Sequence, residues 1–292
     1  MLSSNVIIPG LAAIADHYDG LIVDLWGVLH DGIRAYPGAI DCLRQLKAIH
    51  KPVCLLSNVP RRSATVMVFL EELGITRDLY DHLVTSGEAA HQALLQSPDA
   101  WHAALGPRCF HLGPERDRDV FVGIPYQRVE RLEDADFVVA SAPWQSGDPL
   151  ENYEALLADC AKRHLPMICT NPDLVVMSGA VTVICAGTLA ARYEALGGDV
   201  HYYGKPHAPI YRVCLSLLKA RDPARILGVG DSFHTDVTGA RTVGCGALLI
   251  AGGIHVKELT SAWGQAPEPE RLADAIARYR QTPDATVACF AW

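Results

Sequence analysis

No apolar run in the sequence approaches the roughly 20 residues that a bilayer-spanning helix needs. That absence argues against a membrane partner. The N-terminus lacks a basic stretch followed by a long apolar one, so it does not read as a secretory signal. Dense Lys/Arg runs are also missing. With 25 Lys plus Arg against 33 Asp plus Glu, the formal charge is −8, which leaves no electrostatic footprint for nucleic acid. Cysteine pairs at metal or redox spacing are absent too. The nine cysteines stand at 42, 54, 109, 160, 169, 185, 214, 245 and 289, none in C-x-x-C. An odd count, several members lying inside apolar runs, reads as buried free thiols in a reducing, cytoplasmic compartment. The lack of internal repeats and low-complexity tracts sets aside solenoid and disordered classes. What is present is 292 residues, 50% hydrophobic and 20% charged. That is an ordinary globular composition at a length where a core tends to split or accept an insert.

Short β-branched apolar runs alternate with longer helical stretches. Leu21–Leu25, Val53–Leu56, Arg225–Gly230 and Ala247–Ala251 read as buried strands. Helices are expected after Pro37, over 61–73, near 207–220 and over 234–243. The alternation predicts an α/β fold, a parallel sheet covered on both faces. Cys109–Leu112, Phe137–Ser141 and Met167–Thr170 read as further strands, with a charged segment, Glu115–Asp119, and a helix near 149–163 between them. They look like a second, smaller α/β unit set into the first. The expected division is a core of residues 1–83 and 179–292 around an insert of 84–178.

Chemistry-bearing residues gather where strands end. Asp24 closes an otherwise apolar strand, at the C-terminal edge where open α/β sheets bind ligands; taken alone, it reads better as a cap of the next turn. Ser57-Asn58 closes the second strand and offers a hydroxyl and a backbone N–H to an anion, or a plain turn. Lys205, between Gly204 and Pro206 before a helix, is a fixed cation or a solvated charge. Asp231 and Asp236 follow the strand ending Gly228-Val229-Gly230. They suit a hard cation with oxygen ligands, or an acidic helix start.

In this order the pieces resemble the haloacid dehalogenase superfamily. The resemblance extends to its class IIA branch, phosphatases with an α/β cap between the second and third motifs. Thr170-Asn171-Pro172-Asp173, Gly187-Thr188-Leu189-Ala190-Ala191 and Tyr203-Gly204-Lys205-Pro206 match that branch in sequence order. Asp24-Leu25-Trp26-Gly27-Val28 with His30-Asp31-Gly32 is similar to bacterial members known as predicted sugar phosphatases. The resemblance implies a doubly wound Rossmann-like core with an inserted α/β cap. It implies a Mg²⁺-dependent phosphatase acting through an aspartyl-phosphate on a small phosphorylated metabolite, a sugar phosphate or nucleotide-like compound. Asp24 would be the nucleophile, and Ser57 with Asn58 would bind the phosphoryl group. Lys205 would offset negative charge. Asp24, Asp231 and the backbone carbonyl of Trp26 would hold Mg²⁺, with Asp236 orienting the site. The expected partner is the metabolite, with neither nucleic acid nor membrane; a homo-oligomer is admitted.

One position departs. Where phosphatases of the superfamily usually carry an Asp that protonates the leaving group, this chain has Trp26. Losing a general acid/base typically costs about 10²–10⁴ in rate. A weakly active or non-catalytic metabolite-binding protein is therefore the alternative, ahead of a dehalogenase, which would not need Asp231 and Asp236 for a metal. His30 and Asp31 are candidate substitutes for the acid, or merely shape the loop. Arg61 and Arg62 are candidates for a second anionic group or surface charges. His111, Glu115 and Trp144 carry no assignment, and Asn171 and Asp173 read as hinge or turn residues.

Overall fold

The computed structural model describes residues 6–178, 181–260 and 262–292, the side chains of Met177 and Ser178 excepted. The chain forms two compact units. One takes the chain up to Ser57, then Val66–Val84 and Lys205–Trp292; the other takes Asn58–Thr65 and Thr85–Gly204.

The first unit is built on a seven-stranded sheet. Its order is Val6–Ile7, Ala285–Val287, Gly246–Ile250, Ile226–Gly230, Gly20–Val23, Val53–Ser57 and His82–Thr85. The five pairings from Val6–Ile7 across to Val53–Ser57 are all parallel. Four of the five inner strands, Gly246–Ile250, Ile226–Gly230, Gly20–Val23 and Val53–Ser57, are long runs buried at every residue. This is why they read as continuous apolar runs and not as alternating ones. The registers Val229↔Val23 and Val23↔Leu55 bring the C-terminal ends of three adjacent strands to one edge. Helices Ala39–Ala48, Ser63–Glu72 and Ala208–Leu217 lie where the apolar spacing predicts them. The expected helix over 234–243 is instead a π-helical turn, Phe233–Val237, running into a short α-helix, Thr238–Thr242. Such wide turns concentrate at functional sites.

The second unit has a five-stranded parallel sheet in the order Val200–Tyr202, Met167–Cys169, Phe137–Ala140, Arg108–Leu112 and Gln127–Val129. Period-2 alternation divides its side chains. Phe110, Leu112, Val138, Ala140 and Met167 pack on one face with Tyr153, Leu157, Leu189 and Tyr193. Cys109, Phe137, Val139 and Ile168 pack on the other with Ala90, Leu94 and Val120. An antiparallel ribbon joins Val175–Ser178 to Val181–Ile184.

The boundary after the insert differs from the expected one. Val200–Tyr202 pairs with Met167–Cys169, and helix Ala186–Ala195 buries Leu189, Ala190 and Tyr193 in the second unit's core. Residues 181–204 therefore fold with the insert, and Gly179, the expected edge, lies outside the described residues. All nine cysteines are free thiols, eight of them buried. Among the described residues no helix is long and apolar enough to cross a membrane.

Candidate active site

Asp24 sits one residue past Gly20–Val23, and Asp231 one past Ile226–Gly230, its neighbour in the sheet. Sheet pairing alone thus brings together two carboxylates some 200 positions apart in the chain. Asp236 joins them because the π-helical turn accommodates the five-residue step from Asp231. One carboxylate oxygen from each of Asp24, Asp231 and Asp236 lies within 4.8 Å of the other two. All three residues are buried.

Lys205 is the cation among them. Its Nζ lies 2.7 Å from Asp24 Oδ1 and donates to Asp236 Oδ1 at 2.8 Å. The lysine is only 3% exposed, so it is a fixed internal charge and not a solvated one. Backbone groups hold the acids in place. Leu25 N–H donates to Asp24 Oδ1 at 2.7 Å, Ile254 N–H to Asp231 Oδ2 at 2.7 Å, and Ser232 N–H to Asp236 Oδ2 at 3.2 Å. Beneath them Tyr211 Oη donates to the Asp236 carbonyl at 3.3 Å.

Three carboxylates against one ammonium leave excess negative charge in a buried place. Burial pushes the Asp24 carboxyl well above the usual carboxylate range; Lys205 opposes this, while Asp236 and Asp231 add to it. The surroundings leave room at Asp231. A Cβ on Gly27 would fall 1.8 Å from Asp231 Oδ2, and one on Gly253 would fall 2.1 Å from it. Gly27 also has φ +74, a backbone state that side chains disfavour. An oxygen-only donor set of three converging carboxylates with glycine clearance fits a hard divalent cation.

Ser57, the buried last residue of Val53–Ser57, lies at the same sheet edge, adjoining Asp24's strand. Asn58 begins the second unit. There its Nδ2 donates to Asp173 Oδ1 at 2.8 Å and its Oδ1 accepts from Ser86 Oγ at 3.2 Å. Arg62 is paired with Glu88, Nε to Oε2 at 2.6 Å and Nη2 to Oε1 at 2.9 Å. Against the upward pull of partial burial, that pairing brings Glu88 down to about 2.

Trp26 lies in a tight loop in which the Leu29 and His30 N–H groups both donate to the Leu25 carbonyl. Its ring covers Gly32, where a Cβ would meet the indole at 2.2 Å. His30 packs edge-on against Trp26 and Phe69, centroids 5.2 and 5.4 Å away. His30 is 1% exposed; its Nδ1 accepts from Gly32 N–H at 3.0 Å, and its Nε2 has no hydrogen-bond partner among the described residues. Burial lowers it to about 4, so it is neutral and enclosed at pH 7. Asp31 turns onto its own loop and accepts from the Ile33 and Arg34 N–H groups at 2.9 Å each.

The loop Gly252-Gly253-Ile254, which positions Asp231, was not singled out from the sequence, although a glycine pair directly after a buried strand was a readable signal. Tyr211 gave no such signal. His111, unassigned from sequence, forms a separate buried polar group in the second unit. Its Nε2 is 2.9 Å from Ser141 Oγ, which donates to Asp117 Oδ2 at 3.3 Å.

Residues 21–127 match the profile of the haloacid dehalogenase-like hydrolases, and residues 202–287 match that of the HAD-hydrolase-like proteins. A solved hydrolase of the haloacid dehalogenase-like family from Brucella suis 1330 is 31% identical. The match covers 98% of this chain and 100% of that one, with a TM-score of 0.82. This chain belongs to the haloacid dehalogenase-like hydrolase family. D-glycerol 3-phosphate phosphatase of Mycobacterium tuberculosis is 29% identical over 259 residues, 87% of this chain and 67% of that one. A glycerol phosphate phosphatase from the same organism, solved in complex with magnesium, is 26% identical with a TM-score of 0.63, covering 82% and 70% of the two chains.

Proposed function

We propose that the protein is a Mg²⁺-dependent phosphatase of the class IIA type acting on a small phosphorylated metabolite. The observation that carries this reading is the buried Asp24–Lys205–Asp236 arrangement with Asp231 beside it. Asp24 attacks phosphorus, the ester oxygen departs, and the aspartyl-phosphate is then hydrolysed by water. Negative charge spreads over the phosphoryl oxygens in the transition state, so fixed cations and donors supply much of the catalysis. Lys205 is such a cation, held in place by Asp236. Ser57 supplies a hydroxyl to the phosphoryl oxygens. Asp24, Asp231 and the Trp26 carbonyl are the groups that would hold Mg²⁺, which would offset repulsion between Asp24 and the substrate and favour the ionised Asp24. The magnesium-bound glycerol phosphate phosphatase supports the choice of ion. Asn58, tied to Asp173 and Ser86, contributes by shaping the segment after Ser57.

Trp26 cannot exchange a proton near neutral pH, and His30 is neutral and enclosed. The leaving oxygen therefore takes its proton from water, and good leaving groups react fastest. The intact nucleophile and cation favour slow turnover over a purely binding role. The test is phosphate release from glycerol phosphates, sugar phosphates, nucleoside monophosphates and p-nitrophenyl phosphate, with and without Mg²⁺. Wild type is expected to release phosphate only with the ion, and Asp24→Asn to release none while keeping its fold. Equal turnover by the variant removes Asp24 from the reaction. Binding without release by wild type selects the non-catalytic alternative.

A further inference from the structure

The second unit carries a separate group of metal-type ligands. Asp99 caps the short helix Ala100–Ala103; its Oδ1 accepts from the His102 N–H at 3.0 Å. The same oxygen lies 2.7 Å from His102 Nδ1. His201, on the edge strand Val200–Tyr202, comes from a distant part of the chain, yet its ring centroid is 4.8 Å from that of His102. One ring nitrogen from each histidine and one Asp99 oxygen lie within 4.8 Å of one another. His102 is buried, His201 half-buried and Asp99 exposed.

We propose that Asp99, His102 and His201 form a second metal site, for a borderline cation of the zinc type. Helix capping accounts for Asp99 facing the His102 N–H, but not for a second imidazole brought against the first by an edge strand. Two imidazoles and a carboxylate with an open fourth position are a donor set for Zn²⁺, whereas Mg²⁺ prefers oxygen ligands.

Tetrahedral ligands at zinc distances stand about 3.3–3.4 Å apart. The present spacing closes to this by rotation of the half-exposed Asp99 side chain and the His201 ring. In the loaded state the His102 Nδ1 lone pair faces the ion, so its ring proton sits on Nε2 and is donated to Tyr203 Oη, now 2.5 Å away. Outer partners of this kind set the tautomer and orientation of a ligand histidine. Trp101 fixes the other side: its Nε1 donates to Asp199 Oδ2 at 2.6 Å and its ring lies 4.9 Å from that of His201. The ion would clip the Ala100–Ala103 helix to the edge strand.

The test is calorimetric titration of Zn²⁺ into the reduced 292-residue chain in saturating Mg²⁺. Wild type is expected to bind one Zn²⁺ equivalent that Asp24→Asn leaves unchanged. His201→Ala should weaken it at least about 100-fold, and Tyr203→Phe, which keeps the ring packing, about 10–100-fold. Melting curves establish that each variant is folded before titration. No Zn²⁺ binding by wild type, binding equal in wild type and His201→Ala, or binding lost only in Asp24→Asn would each overturn the proposal.

Discussion

Replacing Lys205 by Met keeps an unbranched stem of similar length and removes the charge that two buried carboxylates share. Asp24 and Asp236 contact Nζ at 2.7 and 2.8 Å, and the three side chains are 4–8% exposed, so water screens little of the interaction. Removing one partner of a buried pair costs about 3–5 kcal/mol, chiefly because the remaining charge stays desolvated. For a unit of this size each kcal/mol is about 2–4 °C, so melting should fall by about 6–20 °C in chelator-containing buffer. A double-mutant cycle separates charge from packing. Asp236→Asn in the wild-type background breaks a good ion pair and destabilises. In the Lys205→Met background it relieves repulsion and should cost much less, or stabilise. The coupling should lie toward the upper end of the roughly 0.5–3 kcal/mol seen for contacting residues. A Lys205→Met loss below about 1 kcal/mol, or strictly additive costs, would refute the reasoning that this lysine compensates both acids.

Three other outcomes follow from the geometry. Trp26→Asp should raise turnover of alkyl phosphates far more than of aryl ones, by up to about 10²–10⁴, because only alkoxides need the proton; equal gains on both, measured across pH, would count against it. Gly27→Ala places a Cβ 1.8 Å from Asp231 Oδ2 at φ +74; it should cost roughly 1–2 kcal/mol in backbone strain and cut phosphate release at least about tenfold, whereas unchanged kinetics would show that Asp231 tolerates displacement. Glu88→Gln weakens the pair with Arg62, whose partners are each 25% exposed, so the loss at pH 7 should be about 1–2 kcal/mol. Because Glu88 falls from 4.5 to about 2, wild type holds this stability above pH 4.5 and loses it as pH falls toward 2; the variant's acid denaturation should be flatter there, and superimposable curves would contradict the pairing.

Local composition was enough to reveal four of the five inner strands and their parallel arrangement. Strands buried on both faces must be apolar throughout, and Leu21, Val53, Leu227 and Leu248 mark such runs without any partner being known. The same local logic exposed Asp24 and Asp231, because a carboxylate after an apolar run is conspicuous wherever the chain goes next. The short strands Val6–Ile7, Gln127–Val129, Val200–Tyr202 and Ala285–Val287 left little trace, since two or three residues carry no period and their hydrogen bonds come from a neighbour. That is why the second boundary moved: only pairing with Met167–Cys169 assigns Val200–Tyr202 to the insert. Tertiary structure alone decided which charges meet. It buried Lys205 between two acids, turned Asn58 to Asp173, bound Arg62 to Glu88 and enclosed His30. A side chain's chemistry is written in its identity, but its partners and its access to water depend on segments far away in the chain, and these fix its charge and reach.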